Sequence, residues 1–216
     1  MLQQILAELA QTNTRLVAVS KTKPVEQILG MYQQGQRIFG ENRIQELVEK
    51  QAVLPKDIEW HAIGHLQTNK VKYISSFVSL IHSVDSLKIL AEINKQALRN
   101  ERVIDCLLQI KIAAEDSKFG LSLADAEALL NSDRFSPMEN IRIVGVMGMA
   151  TFTDNKEQVR GEFKHLKECF DTLKAKYFAE QDFFREISMG MSGDYHIAQE
   201  EGSTMVRIGS LLFGAR

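Results

Sequence analysis

Apolar residues along this chain fall into two alternating rhythms. Short unbroken runs such as "LVAVS", residues 16–20, have the length and β-branched content of buried strands. From Pro24 to Gly35 the rhythm changes: Val25, Ile28, Leu29 and Tyr32 recur at helical spacing, with a proline in the first turn and a glycine to end it. The exchange repeats. "RIFG" precedes a predicted helix over residues 42–51, "IEWHAIG" a short one near 69–75, and "SLIHSVD" the segment "SLKILAEINKQALRN". "VIDCLLQIKI" leads into "SLADAEALLNS", and "IRIVGVMGM" into a long helix whose face carries Val159, Phe163, Leu166, Phe170 and Leu173. Two apolar runs remain, "FREISMGMS" and "TMVRIGSLLFG".

Eight candidate strands, most of them separated by helices, predict a parallel sheet covered by helices. Eight such units close naturally into a (β/α)8 barrel, and 216 residues sits near the lower end of that fold's range. A doubly wound open sheet is the structural alternative. With 44% hydrophobic and 25% charged residues and no proline- or serine-rich linker, the expectation is one domain over residues 1–216, opened by a short N-terminal helix. The net charge of −2 is spread without a basic stripe, which argues against nucleic acid or an anionic membrane as partner. Cys106 and Cys169 form no metal-ligating spacing, the start lacks the pattern of a secretory signal, and no apolar run could span a bilayer. A cytoplasmic location is expected.

In a barrel of this kind the reactive face lies at the carboxyl ends of the strands. Strand one ends at Lys21, strand two at Glu41 and Asn42, and strand three carries His61. A lysine at the mouth of a buried strand is either turned to water or kept for chemistry, because burying an ammonium is costly. Taken alone, Lys21 reads as a solvated lysine. The last two strands change the odds: loops after strands seven and eight often grip phosphate, and here they supply Ser188, Gly190, Ser192, Gly209 and Ser210. A phosphate grip beside a reactive amine suggests an aldehyde bearing a phosphate, a description that fits pyridoxal 5′-phosphate. Plainer roles are expected elsewhere. Lys23 and Lys118 read as solvated lysines, and Met147, Met149, Met189, Met191 and Met205 as core filler. Arg207, in an apolar strand, needs a partner such as Glu200 or Glu201. The i,i+4 pair His61 and His65 flanks a strand end, where that spacing does not make a metal site.

The motifs "AVSKTKP", "FGENRIQE", "WHAIGHLQTNK", "HSVDS", "SKFGL", "GVMGMA", "SMGMSGD" and "EEGSTMVRIGSLLFG" resemble, in order and over nearly the whole chain, those of the YggS/PROSC family of pyridoxal phosphate homeostasis proteins. The resemblance implies a barrel similar to the N-terminal domain of alanine racemase, with pyridoxal 5′-phosphate held as an internal aldimine on Lys21. It further implies that Ser188, Ser192, Gly209 and Ser210 surround the phosphate, that Arg207 faces the pyridine nitrogen, and that Asn42 and His61 line the ring. Two positions depart from the family pattern beside that site: His65 stands where a proline is common, and Gly148 where a larger polar residue is usual. No counterpart of the racemase's second, β-rich domain is expected here. The expected function is therefore a monomeric, non-enzymatic carrier that binds and buffers the cofactor, with cofactor-free pyridoxal enzymes or a regulatory protein as recipients. A racemase or lyase, and a module whose partner senses cofactor occupancy, are the alternatives.

Overall fold

The computed structural model describes residues 1–114 and 119–214. Eight parallel strands close into a barrel in sequence order. They are β1 (Arg15–Val19), β2 (Ile38–Glu41), β3 (Glu59–Ala62), β4 (Leu80–Val84), β5 (Ile104–Gln109), β6 (Ile141–Met147), β7 (Glu186–Ser188) and β8 (Met205–Ile208). Helix α1 (Leu2–Ala10) precedes them. α2 (Val25–Gln33), α3 (Ile44–Val53), α4 (Thr68–Val71), α5 (Leu87–Arg99), α6 (Leu123–Leu130), α7 (Lys156–Tyr177) and α8 (Tyr195–Glu200) connect successive strands, and α9 (Ser210–Phe213) follows β8. Because β1 pairs with both β2 and β8, the sheet is closed and the open doubly wound alternative is excluded. Among the described residues no helix is long and apolar enough to cross a membrane.

Side chains alternate across each strand, so every apolar run feeds two cores. Val17, Leu80, Leu107, Val144, Met147 and Met205 pack inside the barrel. Leu16, Phe39, Trp60, Ile81, Cys106, Ile143, Ile187 and Val206 face outward and meet the helices, and all five residues expected on the long helix's face are buried there. Helix starts follow capping chemistry: Ser86 accepts from Ile89 N, and Ser122 and Asp125 form a reciprocal capping box at α6. Gly145 shows why one residue is fixed by packing: a Cβ there would lie 1.8 Å from Glu186 O, so only glycine lets β6 approach β7 this closely.

The barrel's joints are unequal. Four register pairs, Arg15↔Met205 to Ala18↔Ile208, join β1 to β8, whereas Ser188↔Met205 alone registers β7 with β8. The amino-terminal segment stitches this closure: Thr14 Oγ1 donates to Ser203 O at 3.0 Å across 189 residues of sequence, and the Tyr195 hydroxyl donates to Glu8 Oε2 at 2.7 Å. Helices α8 and α9 were not predicted. They are only one to two turns long, too short for a helical period to stand out in the sequence.

Candidate functional site

Three neighbouring strands, β1, β8 and β7, carry Lys21, Ser192, Gly209 and Ser210 to one sector of the barrel's carboxyl-terminal mouth. Lys21 lies two residues beyond β1, half-buried, and among the described residues its amine has no hydrogen-bond or ion-pair partner. Gly209 follows β8, and its amide donates to Ser192 Oγ in the loop after β7 at 3.3 Å. The same two loops are joined below by Arg207 N donating to Gly190 O at 2.9 Å. Gly190 has φ +95°, and a Cβ there would press on Ala198 Cβ at 2.6 Å, so only glycine lets the chain turn this tightly as it leaves β7. Ser210, exposed, opens α9. Asn42 is exposed just past β2, on the other flank of β1.

The peptide around Lys21 is clamped on both sides. Lys50, buried on α3, donates to Ser20 O at 2.8 Å, to Glu41 Oε1 at 2.7 Å and to Glu46 Oε2 at 3.2 Å. Ser20 Oγ also donates to Glu41 Oε1, and Thr22 N to Glu46 Oε2, each at 2.7 Å. Thr22 is held at φ +64°, a left-handed conformation that a β-branched residue adopts only under restraint. Burial raises the Glu41 carboxyl pKa against the pull of Lys50 and Ser20. Its Oε2 is the buried side-chain oxygen left without a partner among the described residues. A third tether comes from Lys23, whose ammonium donates to Phe213 O at 3.0 Å and Gly214 O at 3.2 Å. It thus ties the β1 loop to the end of α9 rather than standing in solvent.

Beneath the mouth, polar side chains run down the barrel axis. Arg207, 5% exposed, donates through one terminal nitrogen to Ser188 Oγ at 2.6 Å and through the other to Gly148 O at 3.0 Å. Ser188 Oγ lies 3.0 Å from His82 Nδ1, and His82 Nε2 3.0 Å from His61 Nδ1. Burial lowers the Arg207 pKa to about 10, with Asp194 acting against it, so the guanidinium stays charged at neutral pH. Burial also drives His61 down to about 3, and His82 well below its ordinary value with help from His61, Arg207 and Arg15. His61 also lines a cavity of about 570 Å³ at the opposite, amino-terminal end, rimmed by the ion pairs Arg15–Glu186 and Arg142–Asp105.

Ser192, Gly209, Ser210 and Lys21 thus share the mouth, whereas the Ser188 hydroxyl and His61 lie deeper, engaged with other side chains. Glu200 and Glu201 pair with Arg160, not with Arg207. At the departing positions, Gly148 offers its carbonyl to Arg207, and a Cβ there would meet Ile112 at 2.8 Å and Leu166 at 2.9 Å. His65 stacks on Phe119 at 3.8 Å, with Asp85 3.4 Å from its Nδ1. Met147, Met189 and Met205 are core residues as expected, but Met149 is 42% exposed. Lys118 lies outside the described residues. Among those described, no cluster of His, Cys, Asp and Glu could hold a metal ion. Sequence reasoning missed Lys50, His82 and Glu46. Lys50 sits on the apolar face of its helix, at Leu47+3, a position where lysine is out of place.

A closed eight-stranded barrel with a lysine beyond β1 and glycine- and serine-bearing loops after β7 and β8 defines a class, and the chain matches the family described as "Alanine racemase, N-terminal domain" over residues 2–216. Within that class it belongs to the pyridoxal phosphate homeostasis protein family. It is 41% identical over 203 residues to the Aquifex aeolicus protein of that name, covering 94% of this chain and 87% of the relative, and 38% identical over 221 residues to the human one, covering 97% and 79%. The solved structure of PipY from Synechococcus elongatus PCC7942 with PLP bound superposes with a TM-score of 0.86 at 33% identity, covering 99% of this chain and all of that one. Alanine racemase from Bartonella henselae shares the fold at 18% identity and a TM-score of 0.71, with 96% of this chain matched to 59% of the enzyme.

Proposed function

We propose that residues 1–216 form a single unit that binds pyridoxal 5′-phosphate, joined covalently to Lys21, and serves its homeostasis as a non-enzymatic carrier in the cytoplasm. One observation carries the reading: an amine without a partner among the described residues, Lys21, shares one sector of the mouth with the proposed phosphate grip of Ser192, Gly209 and Ser210, above the buried cation of Arg207. This donor set fits the molecule. A carbonyl carbon needs the amine, a phosphate dianion needs hydroxyl donors such as those of Ser192 and Ser210, and a ring nitrogen needs a fixed donor. Family membership and the PLP-bound PipY structure support the same assignment. When bound, the cofactor supplies an electrophilic carbon and a ring that accepts electron density.

Among the residues named for the site, Ser188 would support Arg207 rather than hold the phosphate, and His61 would act only through His82. Asn42 flanks Lys21 from the β2 side. Arg207, still charged at neutral pH, would offer a hydrogen bond to the ring nitrogen without surrendering its proton, so a bound ring would withdraw electrons weakly and racemase or lyase turnover would be negligible. The protein works as a monomer, with cofactor-free pyridoxal enzymes or a regulatory protein receiving what it holds.

The test is incubation with pyridoxal phosphate, absorption spectroscopy, borohydride reduction and peptide mapping. A visible band and a pyridoxyl adduct on Lys21 are expected, with pyridoxal lacking the phosphate retained far more weakly. A dominant adduct on Lys23 or Lys118, or no uptake at excess cofactor, removes the proposal. Rapid α-proton exchange from added alanine removes its non-enzymatic part.

A further inference from the structure

Most of the barrel interior is filled by apolar side chains, which need no partners: Val17, Leu80, Leu107, Val144, Met147 and Met205. Against that background stands an unbroken polar file, Arg207, Ser188, His82 and His61, with links of 2.6, 3.0 and 3.0 Å. A buried polar file costs more than an apolar filling unless each member is satisfied, so its composition calls for a reason beyond packing.

We propose that His82 is a positioning residue for Arg207: acting through Ser188, it fixes the guanidinium at the point where a bound ring nitrogen meets it, and His61 completes the file. The inference rests on the reading of the mouth as a pyridoxal phosphate site. The direction of the file follows from its atoms. A guanidinium can only donate, so Ser188 Oγ accepts from Arg207 and its own proton is free to go to His82 Nδ1. His82 then carries its hydrogen on Nε2 and donates to His61 Nδ1, which leaves the His61 hydrogen also on Nε2, toward the amino-terminal cavity. In the reverse direction Ser188 would accept twice, and its proton would have no acceptor among the described residues. The first direction strands no hydroxyl proton, turns the remaining His61 N–H to the cavity, and leaves Arg207 as the one charge in the file.

The direction can be read on the protein without cofactor. Long-range ¹H–¹⁵N NMR should show both His82 and His61 as neutral Nε2–H rings, and the terminal nitrogens of Arg207 should give separate, slowly exchanging signals. In Ser188→Ala the Arg207 signals should merge as the guanidinium begins to rotate, and Ser188→Thr, which keeps the hydroxyl, should restore them. With cofactor, Ser188→Ala and His82→Leu should each lower pyridoxal phosphate retention by about tenfold, the size of one hydrogen bond to a charged group, and neither should add to the loss caused by Arg207→Ala. A His82 proton on Nδ1, Arg207 signals unchanged in Ser188→Ala, or losses that persist undiminished beside Arg207→Ala would overturn the proposal. Because the NMR arm needs no cofactor, failure of cofactor uptake and failure of the file leave different records.

Discussion

Replacing Lys50 with methionine tests the clamp around Lys21. The substitution keeps an unbranched side chain of similar length on α3 and removes three hydrogen bonds, to Ser20 O, Glu41 Oε1 and Glu46 Oε2. Glu41, fully buried, keeps only the Ser20 hydroxyl at Oε1 and still has nothing at Oε2. Removing one partner of a buried ion pair costs about 3–5 kcal/mol, because the other charge is left in a low-dielectric site. For a protein of this size that corresponds to a fall in Tm of about 6–20 °C. The loss depends on pH. Burial already holds the Glu41 carboxyl above its ordinary 4.5, and without Lys50 it rises further. Stability from a raised group is fully present below its unfolded pKa and is lost as pH climbs through the folded one. The variant should therefore be closer to wild type at pH 5 than at pH 8. Urea denaturation at the two pH values measures both quantities. A loss below about 1 kcal/mol at pH 8, or an equal loss at both, would refute the reasoning. A stable Lys50→Met protein should also form its Lys21 adduct more slowly, since Thr22 at φ +64° would lose part of its restraint.

Ser192→Ala and Ser210→Ala should each weaken pyridoxal phosphate retention by about tenfold or a little more in equilibrium dialysis, while leaving phosphate-free pyridoxal unaffected, as expected for one hydroxyl on a charged oxygen. Equal effects on both ligands would detach these serines from the phosphate. Both cysteines should resist thiol reagents in the folded protein at pH 8, because burial drives the Cys106 thiol far up and the Cys169 thiol to about 11. A colorimetric assay showing fast labelling before unfolding would contradict the burial of these two side chains.

The barrel was legible because each of its strands is a run of apolar residues and most of its helices carry a clean period. Phe163 and Leu166 declare their face without help from any other part of the chain. Lys21 stood out through the mismatch between its charge and its strand. Lys50 belongs to the same kind of mismatch, yet its partners Ser20 and Glu41 come from two other elements, and no local pattern links them. The axial file is harder still. His82 sits in "LIHSV", where a lone histidine reads as a strand residue, and only closure of the barrel brings it to Ser188, 106 residues away. The Ser188 hydroxyl illustrates the limit: its place in the β7 motif was visible, but which way it would be spent depended on the length of β7 and on Arg207 beside it.

The pairing of β1 with β8 has a consequence for how the chain reaches its shape. β1 is made first and β8 last, and the contact from Thr14 to Ser203 spans 189 residues. Until β8 arrives, one edge of β1 offers the unpaired backbone of Arg15, Leu16, Val17 and Ala18, a short and strongly apolar template for any other strand. Closing so long a loop adds little to its entropic cost, since each doubling of length costs only about 0.6 kcal/mol, so the delay bears on rate rather than on final stability. During synthesis the growing chain therefore passes through a stage with seven strands made and an open seam on each flank. The strand that carries Lys21 at its end is then the one most exposed to a wrong partner.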